Sequence, residues 1–167
     1  MSIAEVEKWF SEGHHKTLCP EICPEMSLFE QACSDAKFYH EGDKYGPHDY
    51  YEYHLLGVVG LIQVHELTSR LLSKYKVIGI LHDVHEDHDV PLDTLREIYG
   101  SDIADAIEAI SYRKGLETRE EYYKRCKANP LARVVKKYDA MFNMGQSALE
   151  GNDKRREYYK KIVDVMS

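Results

Sequence analysis

The segment KVIGILHDVHEDHDV, Lys76 to Val90, carries an apolar run that ends abruptly in charge: three histidines, three aspartates and one glutamate fall between His82 and Asp89. Burying ionised groups is costly unless they are paired or bound to a metal. The run therefore requires a fold that delivers a buried helix end to a polar centre. On a helix, His82 and Glu86 share one face, as do Asp83 and Asp87, each pair four residues apart. The neighbours His82 and Asp83 can both ligate one ion only if the helix points its end into a shared cavity. Two side chains do not fill a coordination shell, so other segments must contribute.

Two segments offer ligands. His54 opens the apolar stretch LLGVVGLIQV after a Tyr-rich loop, and Asp139 lies within LARVVKKYDAMFNM, on a helix face that should be largely buried. An unpaired carboxylate there would be costly. Together with His82 and Asp83 they give two imidazoles and two carboxylates, a mixture that suits manganese, iron, cobalt or zinc with positions open to water and substrate.

Helical periodicity is almost continuous along the chain. IAEVEKWF reads as a short amphipathic helix that a Pro-containing loop ends at about Met26, and SLFEQACSDAKFYHEG restarts the pattern behind a cap at Ser27. DKYGPHDYYEY reads as a loop centred on Gly46-Pro47. A long helix is expected from about Tyr53 to Leu72, another from Lys74 to about Glu86, and a short one from Pro91 to a stop at Gly100. SDIADAIEAISY, TREEYYKRCKA, NPLARVVKKYDAMFNMGQSAL and DKRREYYKKIVDVM complete the series. No alternating strand of useful length appears, so the fold class is all-α, in one domain over residues 1–167.

Charge and composition narrow the function. The 22 basic and 29 acidic residues give a net charge of −7, which argues against nonspecific binding to a nucleic-acid backbone. No apolar run reaches the ~18 residues of a membrane span. MSIAEVEKWFSEG lacks the shape of a signal peptide, and the chain reads as cytoplasmic. His14, His15, Cys19 and Cys23 could hold zinc by ligand type, but their spacing matches no familiar zinc knuckle, and Pro20 and Pro24 explain the stretch as a connector. The thirteen tyrosines tempt a base-stacking reading, yet in YYEY, EEYYKR and REYYKK they sit among acidic or basic neighbours and read as packing groups. His85 and His88 read as solvent-facing or supporting residues, and His40 either as a substrate contact or as a helix cap.

The ordered pattern His54, His82-Asp83, Asp139 resembles that of the HD-domain metal-dependent phosphohydrolases. The branch that includes the ppGpp hydrolase domain of SpoT and its small metazoan homologue is the closer match. Its LLHDVxEDTDxTLxExxxxFG is similar to ILHDVHEDHDVPLDTLREIYG, its AHxGQ followed by PYxxHP to FYHEGDKYGPHDYYEYHL, and its VKxADxxxNM to VKKYDAMFNM. The resemblance spans about residues 27–145. It implies an HD-domain helical bundle with a divalent metal, manganese first, on His54, His82, Asp83 and Asp139. It further implies that Glu86 and Asp87 position or deprotonate the attacking water, with Lys136, Asn143, Tyr51 and Lys44 as contacts for a nucleotide substrate. The chain departs from the pattern where the basic RKSG segment is KYGPH, where HP is His54-Leu55, and where an alanine is Tyr138, a bulkier neighbour for the site. These departures keep other nucleoside mono- or triphosphates open as substrates beside ppGpp, and a non-catalytic regulator as a further alternative. The N-terminal forty residues and the last helix are available for a homo-oligomer contact.

Overall fold

The computed structural model describes residues 27–167. The short helix read over IAEVEKWF and the His14, His15, Cys19 and Cys23 group lie outside the described residues. Helix α1, Leu28–Tyr39, starts at the cap expected from sequence: Ser27 Oγ accepts from Glu30 N while Glu30 returns a bond to the Ser27 backbone. The stretch expected to be a loop instead forms a small antiparallel ribbon, β1 Lys44–Tyr45 and β2 His48–Asp49, turning at Gly46-Pro47. A π-helical turn, Tyr50–Leu55, then leads into α2, Leu56–His65.

Two helices are shorter than their periodicity suggests. The first stops at His65, and Glu66 to Leu71 form turns in which Ser69 Oγ captures Leu71 N, a local bond that competes with helix continuation. The second, α3 Leu72–Leu81, stops immediately before His82-Asp83 and resumes as α4, Val84–His88. Helices α5 Leu92–Tyr99, α6 Ser101–Ile110, α7 Arg119–Ala128, α8 Pro130–Leu149 and α9 Asp153–Met166 follow the sequence reading closely. Pro91 caps α5, and Gly100, at φ 91°, separates it from α6. Thr118 and Glu121 form a second capping box at α7, and Asn129 Oδ1 caps α8 by accepting from Leu131 N and Ala132 N.

Helix α3 is buried on every side, from Tyr75 through Leu81 apart from half-buried Lys76, as an internal helix must be. It packs between α1 and α2 and against α8, which also contacts α2, α6, α7 and α9. Leu55, Val58 and Ile62 of the π-turn and α2, Ile78 and Ile80 of α3, Ile107 of α6 and Val135 of α8 are completely buried where these elements meet. Gly79 lets α2 and α3 approach: a Cβ there would sit 2.7 Å from Ile62 Cδ1. Among the described residues no helix is long and apolar enough to cross a membrane.

Because Ile62 is fully enclosed it cannot swing into solvent. Gly79→Ala is expected to cost about 1–3 kcal/mol through overpacking, seen as a melting temperature several degrees below wild type. An unchanged melting temperature would contradict the close α2–α3 contact.

Candidate metal centre

Two breaks in regular α-helix and one continuous helix bring the expected ligands together. His54 projects from the π-turn, His82 and Asp83 from the gap between α3 and α4, and Asp139 from the middle of α8. His54 Nε2 lies 3.5 Å from Asp139 Oδ1 and 3.7 Å from Asp83 Oδ2; His82 Nε2 lies 2.8 Å from Asp83 Oδ2 and 3.8 Å from Asp139 Oδ1. For metal–ligand bonds of ~2.1 Å, adjacent donors are separated by about 3.0 Å in an octahedral shell and about 3.4 Å in a tetrahedral one. The four separations straddle these values.

Proton positions point the same way. His82 Nδ1 is 2.8 Å from the Gly79 carbonyl, which only accepts, so that nitrogen carries a proton and Nε2 turns to the carboxylates. His82 Nε2 is buried and faces Asp83 Oδ2 at 2.8 Å. The ring of His54 is wedged among aromatics: Tyr45 stacks on it at 5.0 Å and 4°, and Phe142 meets it edge-on at 5.2 Å. This clamp fixes the direction of Nε2 without using a hydrogen bond at Nδ1, which is buried and unpartnered.

The carboxylates are held from behind. Tyr50 donates to Asp83 Oδ2 at 2.5 Å. Lys136 Nζ donates to Asp139 Oδ2 at 2.8 Å, and Asn143 Nδ2 donates to Asp139 Oδ1 at 2.6 Å. Tyr45 Oη donates to Asn143 Oδ1 at 2.6 Å, adding a further layer. Burial opposes charge on both aspartates, but His82 and His54 draw Asp83 well below the usual carboxylate range, and Lys136 with the two histidines draws Asp139 down as well. Burial also opposes a charge on His82, yet Asp83 and Asp139 raise it to about 9.

Glu86 and Asp87 follow on α4 at the solvent edge of this cluster. Glu86 Oε2 accepts from Tyr112 N at 2.7 Å, just beyond the end of α6. Desolvation by the surrounding walls raises Glu86, with Asp83 adding to it, and raises Asp87 to about 6 with help from the negative Asp83 and Glu86.

Other residues singled out from sequence lie elsewhere or in different roles. Lys136 and Asn143 contact Asp139. Tyr51 lines a shallow cavity of about 350 Å³ with Lys37, His40 and Glu52, and Lys37 sits 5.8 Å over its ring. Lys44 is exposed on β1. Tyr138, expected to crowd the site, turns away: its hydroxyl donates to Glu66 at 2.7 Å and its ring stacks on His65. His85 Nδ1 donates to the Val90 carbonyl, while His88 meets His40 and Asp43. Sequence reasoning missed Tyr45, Tyr50 and Phe142 as site residues. Tyrosines were read there as packing groups, and no spacing rule links Tyr50 to an aspartate thirty-three positions away.

No protein-family model matches the chain, and no curated protein matches it. Among solved structures the fold is similar to that of a metazoan orthologue of SpoT that hydrolyses ppGpp and plays a role in starvation responses. The TM-score is 0.71, over 84% of this chain and 86% of that one, at 20% sequence identity. The likeness is one of fold, an all-α helical bundle.

Asp83 and Asp139 favour the protonated form of His82 in the metal-free fold, so a cation bound at its Nε2 would displace that proton. Affinity should rise with pH and level off above about 9. Calorimetric manganese titrations in buffers of different ionisation enthalpy are expected to show net proton release near neutral pH; none would mean that His82 is not a ligand.

Proposed function

We propose that this chain is a metal-dependent phosphohydrolase acting on a nucleotide, with ppGpp-like compounds as the leading substrate class. One observation carries the reading: two imidazole nitrogens and two carboxylates converge at imidazole–carboxylate separations of 2.8–3.8 Å, and the helix that follows, α4, carries Glu86 and Asp87. His54, His82, Asp83 and Asp139 would hold a divalent ion, manganese first, with iron, cobalt and zinc also suited to the donor set. Such an ion supplies Lewis-acid polarisation of a phosphate oxygen and acidifies water.

The chain's own residues then divide the work. Asp87, raised towards neutrality, is poised to accept a proton from an attacking water. Glu86, tethered to Tyr112 N, orients that water. Lys136 and Asn143 fix both oxygens of Asp139, and the Tyr50 hydroxyl fixes Asp83, so the ligands are preorganised before substrate arrives. With Lys136 committed to Asp139, its contribution to phosphate binding is electrostatic, through a charge just behind the carboxylate. The metazoan SpoT orthologue of similar fold hydrolyses ppGpp, which supports an alarmone.

A second substrate reading has its own support. The ribbon over Lys44–Asp49 stands where the resembling branch carries its basic RKSG segment, and here it presents a Gly-Pro turn and His48. Nucleotides that do not need that basic grip, such as other (deoxy)nucleoside phosphates, fit this change.

A product assay with manganese over ppGpp, the common (deoxy)nucleoside mono- and triphosphates and NADPH tests both readings. Turnover is expected for at least one nucleotide, with none in Asp83→Ala and a loss of about 10²–10⁴-fold in Asp87→Asn. Pyrophosphate from ppGpp alone would identify an alarmone hydrolase. Absence of turnover with every metal, in protein that binds manganese, would contradict catalysis and favour a binding role.

A further inference from the structure

A second group of donors lies outside the cluster just described. His40 closes α1, Asp43 follows three residues later, and His88 ends α4. His40 Nδ1 is 3.0 Å from Asp43 Oδ2, His88 Nε2 is 2.9 Å from the same oxygen, and the two nitrogens are 3.0 Å apart. Three donor atoms thus form a nearly equilateral triangle.

Protons satisfy at most two edges of this triangle. An N–H points at one acceptor, and an ionised carboxylate only accepts. If both rings donate to Asp43, two N–H donors face each other at 3.0 Å. If His88 instead donates to His40, the lone pairs of His40 Nδ1 and Asp43 confront each other at the same distance. Every assignment leaves one edge between like groups. A cation at the centre of the face satisfies all three donors together.

We infer that His40, Asp43 and His88 form a second site for a divalent transition metal, separate from the His54 centre. Edges of 2.9–3.0 Å match three adjacent positions of an octahedron with bonds of ~2.1 Å and are shorter than the ~3.4 Å of a tetrahedral shell. Two imidazoles and one carboxylate on one face suit manganese, iron, cobalt or nickel and leave further positions to water or a ligand oxygen.

The backbone is shaped to hold the triad. Gly42, at φ 89°, turns the chain so that Asp43 N bonds the His40 carbonyl, bringing the carboxylate back over the end of α1. Asp89 has φ 53°, the one positive φ at a non-glycine among the described residues, and it ends α4 directly after His88. His40 is 1% exposed, stacked on Tyr50 at 4.9 Å, and its Nε2 has no hydrogen-bond partner. Asp43 and His88 are open to solvent on the other side, at 41% and 24% side-chain exposure, which gives an ion a route in. The site stands on this geometry and not on the phosphohydrolase reading.

Chelator-stripped full-length protein titrated with cobalt(II) chloride, followed by d–d absorption and by metal content after gel filtration, tests the assignment. Wild type should take up two equivalents, His88→Ala and Asp43→Asn one each, and Asp139→Asn should lose the other equivalent while keeping this one. The exposure of Asp43 and His88 makes both variants suitable, and circular dichroism confirms their fold. Equal uptake by wild type and His88→Ala would overturn the proposal, as would loss of all cobalt in Asp139→Asn.

Discussion

The cost of taking Asp83 and Asp139 out of water organises this molecule. Asp139 is buried in the helical core and Asp83 stands half-buried beside it, and their charges need compensation there. Compensation comes from three directions: the histidines His54 and His82, the ammonium of Lys136, and hydroxyl or amide donors from Tyr50 and Asn143. Two of the three elements that supply partners are interrupted or widened where they do so. The π-turn carries Tyr50 and His54, and the gap after Leu81 carries His82 and Asp83. Helix α8 remains continuous and pairs Lys136, Asp139 and Asn143 across one turn.

The core and the centre are coupled through α3. Its burial on every side drives its end into the interior, and Gly79 serves it twice: the missing side chain admits Ile62, and the carbonyl accepts from His82. Packing of α2 on α3 thereby sets the direction of His82 Nε2. The aromatic clamp of Tyr45 and Phe142 does the same for His54, with stacking in place of a hydrogen bond.

Much of this was legible in the sequence. Cap residues such as Ser27 and Asn129, the Pro91–Gly100 bracket and the 3.6-residue period located most helices, because these signals act within a few residues. The meeting of His54, His82, Asp83 and Asp139 was legible because charge inside apolar runs is rare and needs a reason. The helix breaks after His65 and Leu81 were not, since apolar residues recur at helical steps across both. Nor was the ribbon over Lys44–Asp49, only two residues per strand. The side chains that hold these four residues were read less well than the four themselves. The spacing of Lys136 and Asn143 from Asp139 on one helix allows the contacts seen, beside the substrate contacts that the resemblance implies. The Tyr50–Asp83 and Tyr45–Asn143 bonds join distant segments and leave no local trace. The same holds for the meeting of His40 and Asp43 with His88.

The central claim is that His54, His82, Asp83 and Asp139 are the ligands of one metal ion. Anomalous diffraction at the manganese edge from crystals grown with manganese tests it most directly. The account requires a peak within bonding distance of His54 Nε2, His82 Nε2, Asp83 and Asp139. Fully occupied crystals with no peak among these four side chains would contradict it.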